Sequence, residues 1–292
     1  MPAPQQLAEQ LLREGRLDES LKELEAAIRK NPADPKLRVF LFQLLCVQGA
    51  WERAITQLNV ASEMDPANLL MRQVCGPALQ CEALRAQVFE GKRTPLVLGE
   101  PEEWVGWMIQ ANQLAAVGKH AEAAPLREKA LEAAPAVSGF IDGKPFEWLA
   151  DADMRLGPIL EVIVEGRYYW APLFRIARID VEPPKDLRDL VWLPAQLTFT
   201  NGGSAVALIP TRYPGSERSP DAAIRLARRT EWVEGGEEGF FTGLGQRLLA
   251  TDQGEHALLE TRLIGFGAEP PVPLSAEGGE QAQAEPAEAT DG

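Results

Sequence analysis

The chain has 292 residues, enough for one or two domains with a sizeable core. Its 43 acidic and 29 basic residues give a net charge of -14, which excludes a general affinity for phosphate backbones or anionic lipid, since both would repel it. The two histidines, His120 and His256, are too few for a multi-histidine metal site or a histidine-rich catalytic constellation.

Six acids (Glu269, Glu277, Glu280, Glu285, Glu288 and Asp291) and no base lie between Ala268 and Gly292, so much of the acidity belongs to the tail. The three cysteines, Cys46, Cys75 and Cys81, each sit in an apolar, helical-looking stretch, which predicts reduced buried thiols. The N-terminus lacks a basic region followed by an apolar core, and no run approaches the roughly 18 apolar residues of a membrane span. These features predict a soluble cytoplasmic protein with no membrane or nucleic-acid partner.

The first half repeats. Gly15, Ser20, Ala27 and Pro32 recur as Gly49, Ala54, Ala61 and Pro66, and again as Gly118, Ala123, Ala130 and Pro135. The first spacing is 34 residues; the second is two such periods plus one residue, with a degraded unit around Glu82 to Gly91. A glycine that takes positive φ turns the chain between two helices, small residues let the helices approach, and proline ends the second helix. Pro125, early in the last of these helices, marks a first turn or a kink. The period and the small-Gly-small-Pro skeleton resemble the tetratricopeptide repeat.

In that family the first helix of each hairpin lines a concave groove. The resemblance carries this role to Gln5, Glu9, Leu12 and Arg13, to Val39, Gln43, Cys46 and Val47, to Leu70 and Gln73, and to Val105, Met108 and Asn112. Of these, Val39, Gln43, Val47, Leu70, Gln73, Val105, Met108 and Asn112 are the candidate partner-binding residues. The set is rather apolar and lacks the Lys/Arg/Asn clamp for a terminal carboxylate, so it suits the apolar face of a helix better than a peptide end.

After Pro135 the pattern changes. Residues 159–164, 168–181, 190–200 and 204–210 are rich in Val, Ile, Tyr, Phe and Trp and are separated by turn residues, which predicts strands. Glu165-Gly166-Arg167 and Asn201-Gly202-Gly203 read as hairpin connections. The expectation is an α+β fold: a tetratricopeptide-like helical repeat array over 1–138, then a small β-rich domain over 139–267. That second domain is a twisted sheet or partly open barrel with short helices, one near 220–230. An acidic disordered tail over 268–292 follows.

The string PFEWLADADMRLGPILEVIVEGRYYWAPLFRIARIDVEPPKDLRDLVW, followed by LIPTRYPGSE, RTEW and GLGQRLLATD, resembles the ImpE family, also called SciE or TagJ, accessory proteins of type VI secretion systems. The resemblance covers essentially residues 1–267. It implies a cytoplasmic, non-enzymatic protein that contacts the N-terminal helix of the small contractile-sheath subunit TssB and connects to the sheath-recycling ATPase ClpV.

Asp151, Asp153 and Arg155, with Glu147 and Glu161 nearby, form the one carboxylate cluster that invites an enzymatic reading. The competing reading is that an aspartate caps a turn and Arg155 makes a structural ion pair. Gly243-x-Gly245-x-Arg247 lacks the full phosphate-loop fingerprint. Alternation along a strand puts Tyr168 and Trp170 on one face and Tyr169 on the other, and these residues with Trp192 read chiefly as core. Arg225, Arg228 and Arg229 share helical spacing and suit either a solvated face or an acidic partner. Ser204, Thr211 and Ser216 have no neighbouring base. No catalytic, cofactor or metal site is therefore assigned. The alternatives to a secretion adaptor are a general peptide-binding repeat protein and an enzyme built on Asp151, Asp153 and Arg155.

The apolar content beyond Gly267 is too low to offset chain entropy. Deleting residues 268–292 is expected to leave the melting temperature unchanged in a thermal scan.

Overall fold

A computed structural model describes residues 4–236 and 238–267; the acidic tail lies outside the described residues. Seven helices come first: α1 (Pro4–Arg13), α2 (Leu17–Lys30), α3 (Pro35–Val47), α4 (Trp51–Met64), α5 (Leu69–Phe89), α6 (Glu103–Ala116) and α7 (His120–Ala133). The repeat skeleton explains three hairpins. Gly15, Gly49 and Gly118 have φ of 78°, 70° and 78° at the turns of α1/α2, α3/α4 and α6/α7. Ser20, Ala54 and Ala123 are completely buried, and no larger side chain would let the paired helices come as close.

The degraded unit does not form a hairpin. Residues 69–89 make one helix that runs through Pro77, and the chain turns after it at Gly91 (φ 73°). Pro125 lies inside α7 rather than at its start. Between α5 and α6 the chain forms a two-residue strand, β1 (Leu96–Val97), which pairs in parallel with a strand of the second half.

That half contains β2 (Gly139–Ile141), β3 (Lys144–Phe146), β4 (Leu149–Asp151), β5 (Ile159–Val164), β6 (Arg167–Pro172), β7 (Ile176–Val181), β8 (Trp192–Phe199) and β9 (Ser204–Pro210). A single helical turn, α8 (Ala222–Arg225), precedes β10 (Thr230–Glu234), β11 (Phe241–Gly245), β12 (Leu248–Thr251), β13 (Gly254–Ala257) and β14 (Leu263–Phe266). Nine strands form one sheet in the order β1-β6-β5-β9-β8-β7-β14-β2-β3, larger than the small sheet expected from sequence; β10-β11 and β13-β12-β4 stand apart from it.

Both expected hairpins occur. Glu165 and Gly166 turn β5 into β6 with φ of 49° and 73°. Gly202 at 84°, with the Gly203 N–H donating to Asn201 Oδ1, turns β8 into β9. The run 168–181 breaks in two at Pro172, which has no N–H with which to continue the ladder, and a 3₁₀ turn over Leu173–Arg175 follows. The helix expected over 220–230 is capped at its start by Asp221 and stops after one turn, where Ala227 takes a φ of 52°.

The sheet has two apolar faces. Leu160, Val162, Ala171, Leu193 and Ile209 pack inward with Ile141 and Phe146 from the far edge strands, so the sheet curls around this core. Ile159, Ile163, Tyr168, Trp170 and Trp192 point the other way and share a core with Cys46, Val47, Val105 and Met108 of the helices. Tyr168 and Trp170 thus lie on one face, and Tyr169 packs on the other.

The helical and sheet halves therefore hold one core between them. Burying each large apolar side chain contributes about 1.5–3 kcal/mol. Residues 1–138 expressed alone should expose Val47, Val105 and Met108, bind 8-anilinonaphthalene-1-sulfonate and melt with lower cooperativity than the full chain, as fluorescence and circular dichroism will register.

Candidate functional site

The Asp151 cluster sits where α5 meets the sheet. Glu161, in the middle of β5, points toward the helices and receives Arg85 of α5 in a two-pronged pair at 2.7 and 2.9 Å. It also accepts a hydrogen bond from Tyr168 Oη and an ion pair from Arg247. Arg247 bridges Glu161 to Asp151, and Arg85 reaches Glu82 at 3.5 Å on its own helix. Trp170 Nε1 donates to Tyr168 Oη (2.7 Å), and Trp192 Nε1 to Glu82 Oε1 (2.8 Å).

Asp153 completes a local turn. It accepts from the backbone N–H of Arg155 (2.9 Å) and of Gly243 (2.8 Å) and pairs with the Arg155 guanidinium. The buried Arg85 and Arg247 and the half-buried Arg155 thus share one layer with four buried carboxylates (Glu82, Asp151, Asp153, Glu161). Glu147, near these residues in sequence, is exposed and lies apart from them. Among the described residues no group of acids, cysteines and histidines is placed to hold a metal ion.

Burial alone would push the Glu161 carboxyl up, but the attraction of Arg85 and Arg247 outweighs it and holds the group at about 2 against an ordinary 4.5. At Asp151 burial wins over Arg247, with Asp153 adding repulsion, and the group rises to about 6. A cleft of about 130 Å³ reaches Arg85 and Arg155 but neither Asp151 nor Asp153.

The Gly243-x-Gly245 pair makes room rather than holding phosphate. A Cβ on Gly243 would come within 2.2 Å of the Tyr213 ring, and one on Gly245 (φ 92°) within 2.0 Å of the Arg229 carbonyl. Tyr213 Oη, seated by that gap, reaches Asp151 Oδ1 and the Leu248 carbonyl at 3.1 Å each.

The sheet half also reaches the ends of the inner helices. Arg212 donates to the Val47 and Cys46 carbonyls (2.8 and 3.3 Å) at the end of α3. Arg228 donates to those of Arg13 and Leu12 (2.9 and 3.3 Å) at the end of α1. Both place a cation against the carbonyls at a helix C-terminus, where the helix dipole is negative. On α6, Asn112 Nδ2 donates to the Arg155 carbonyl at 2.7 Å. Of the arginine trio considered for an acidic partner, Arg228 is committed to α1 and Arg229 pairs with Asp221 and Glu231.

These contacts correct the open-groove expectation. Gln43, Cys46, Val47, Val105, Met108 and Asn112 are buried, because the sheet half fills the concave side of the array. Val39 is half-buried, and only Leu70 and Gln73 of the eight candidate residues are exposed. A sequence signal for this existed: FLFQLLCV in α3 is apolar all round, the mark of a helix covered on every side.

Leu70 and Gln73 border a different cleft, between the first half of α5 and the outer face of β8 and β9. One compartment, of about 340 Å³, is lined by Leu70, Met71, Val74, Pro194, Val206 and Leu208. A second, of about 510 Å³, shares Val74, Val206 and Leu208 and extends to Gln73, Pro77 and Gly166. Sequence reasoning missed Val206 because its strand alternates normally; nothing local announces that its outward face lacks a cover.

Residues 143–265 match the ImpE protein family, and residues 11–75 match a tetratricopeptide repeat family. The chain is 52% identical, over 260 residues, to the type VI secretion system accessory component TagJ of Pseudomonas aeruginosa, covering 89% of this chain and 91% of that one. The chain belongs to the ImpE family. A crystal structure of protein VPA1032 from Vibrio parahaemolyticus shares the fold, with a TM-score of 0.82 at 24% identity, covering 90% of this chain and 98% of that one. The strings that carry the family resemblance are those that build the buried layer: LADADMR supplies Asp151, Asp153 and Arg155, PTRYPGS supplies Arg212 and Tyr213, and GLGQR supplies both glycines and Arg247.

Glu161 contributes about 3 kcal/mol of stability that is fully present above pH 4.5 and lost as pH falls toward 2, because its folded value lies below its unfolded one. Asp151 acts oppositely: its folded value is the higher, so stability rises as pH falls from about 6 toward 3.8. Glu161→Gln removes the carboxylate that Arg85 and Arg247 share and is expected to cost about 3–5 kcal/mol. In urea titrations across pH, that variant should lose the acid limb assigned to Glu161, and Asp151→Asn should flatten the limb between pH 6 and 4.

Proposed function

We propose that this chain is a non-enzymatic accessory adaptor of a type VI secretion system, which binds the N-terminal helix of the small sheath subunit TssB and connects the sheath to the ATPase ClpV in the cytoplasm. The observation that carries this reading is the 52% identity to TagJ over about nine-tenths of both chains. The repeat architecture agrees with it, since such arrays serve as platforms for peptide and helix partners. No described helix is long and apolar enough to cross a membrane.

The carboxylates behind the enzymatic alternative are engaged with one another's arginines, and the adjacent cleft does not reach Asp151 or Asp153. That arrangement favours a structural role for them. The general peptide-binding alternative draws on the tetratricopeptide match alone, which spans residues 11–75.

Of the eight candidate residues, Leu70 and Gln73 stay exposed and Val39 is half-buried. Val47→Asp would bury a charge in the shared core and unfold the chain, so it is no test of binding. Isothermal titration of the full chain with purified TssB should give saturable one-site binding that is lost when the N-terminal helix of TssB is deleted. A parallel titration with ClpV should show binding to the adaptor–TssB complex. Absence of any TssB binding would overturn the adaptor reading.

A further inference from the structure

The β10–β11 ribbon stands outside the large sheet, and its start is RTEW, the quoted string that adds nothing to the buried layer. The register shows which way its backbone groups point. Gln246 N–H donates to the Arg229 carbonyl (3.0 Å) and Gly235 N–H to the Phe240 carbonyl (2.8 Å), one at each end of the ribbon. Hydrogen-bonded pairs alternate along an antiparallel ladder, so Glu231 and Val233 between them also face β11. Thr230, Trp232 and Glu234 turn their N–H and C=O groups to the other side.

The far edge of β11 is closed. Gly243 N–H donates to Asp153 (2.8 Å), Gly245 N–H donates to Ser216 Oγ (2.8 Å), and the Gly245 carbonyl accepts from Tyr213 N–H (2.9 Å). The outer edge of β10 is open: residues 231–234 are exposed, and among the described residues none hydrogen-bonds the backbone of Thr230, Trp232 or Glu234. Three donors and three acceptors in a row are a template for one more strand.

Charge selects what pairs there. Asp221 and Glu231 share one cation, Arg229, while Glu234 and Glu238 pair with none among the described residues, and Arg228 is turned toward the end of α1. A second copy of β10, set antiparallel about Trp232, would bring two Glu231 side chains to diagonal positions on one face and repel. The chain's own tail, with six acids and no base, is repelled likewise. A basic extended segment is attracted.

Alternation sets its pattern. Glu234 shares a face with Trp232, and Glu231 shares the other with Val233. Trp232, which leans on the Tyr213 ring at 5.7 Å, and Val233 are both exposed. An incoming antiparallel strand meets, in its own chain order, an acid at 234, apolar side chains at 233 and 232, and an acid at 231. We propose that the outer edge of β10 is a strand-addition site for an extended segment of a protein partner with the pattern basic-apolar-apolar-basic. This surface is separate from the helix-binding role of the adaptor and does not depend on it.

The test titrates the full chain calorimetrically, at low ionic strength, with the capped peptide Thr-Lys-Val-Val-Lys-Thr. Saturable one-site binding is expected. Replacing both lysines of the peptide by glutamate should weaken it about tenfold or more, and so should N-methylation of the second valine, whose N–H faces Trp232. Glu234→Lys, at an exposed position without an ion pair, should keep the parent's circular dichroism and shift the preference from the lysine peptide toward the glutamate one. Hydrogen exchange should slow on binding at the amides of Thr230, Trp232 and Glu234.

Absence of saturable binding by the lysine peptide would overturn the proposal. Undiminished affinity of the N-methylated peptide would show attraction by charge alone and overturn strand addition. A full chain that dimerises with those three amides protected, or that binds the peptide only after residues 268–292 are deleted, would give the edge to a second copy or to the tail and overturn it too. Each of these outcomes leaves the adaptor reading intact, because that reading is tested with TssB.

Discussion

Glu161 is the point on which the two halves of the molecule depend. A carboxylate in the middle of a strand, completely buried, is tolerable only if its charge is matched at short range. Arg85 comes from the helical side, Arg247 from the far end of the chain, and Tyr168 from the neighbouring strand. One buried anion thus ties α5, the nine-stranded sheet and the strand β12 region into a single unit. Removing either arginine leaves a carboxylate of the layer short of a cation in the core.

The remaining polar contacts across the boundary follow the same geometry. Each inner helix of the array meets a group from the sheet half: Arg228 at α1, Arg212 at α3, Glu161 and Trp192 at α5, and the Arg155 carbonyl at α6. Helix ends carry unpaired carbonyls, and arginine suits them because its donors are fixed in a planar fork. Burial lowers Arg212 to about 10, which still leaves it charged at neutral pH and able to hold those carbonyls. The sheet therefore occupies the repeat's concave side as a ligand would, with apolar packing between Trp51 and Trp192 (6.0 Å) and between Phe89 and Trp170 (6.0 Å) alongside the polar ties.

Filling the concave side moves the available apolar surface elsewhere. Beside the first half of α5, Val206 stays exposed, with Pro194 and Leu208 lining the same cleft. The surface that remains open is built from both halves, and its geometry depends on the same buried layer that fixes their relative position. α5 joins the two regions: its first half lines the cleft, and its second half carries Glu82 and Arg85 of the buried layer.

The sequence by itself determined the features that short-range rules govern. A 34-residue offset with glycine at each turn specified three helical hairpins, because positive φ and close helix approach are local demands that glycine and alanine meet. Alternation specified β5 and β9 to the residue and put Tyr168 and Trp170 on one face. The quoted strings sufficed to place the chain in its family. The tertiary structure decided what those elements face. Asp151, Asp153 and Arg155 read as a cluster in sequence, but Asp151 and Asp153 are engaged by Arg247 and Gly243, some 90 residues away. Val47 and Met108 fitted an open groove by repeat analogy and are buried, since no local pattern encodes that a later sheet will lie there. Val206 alternates like any half-exposed strand residue, and only the placement of α5 to one side of it leaves it uncovered. Long-range packing, which pairs residues far apart along the chain, settles burial and accessibility, and the site follows from those.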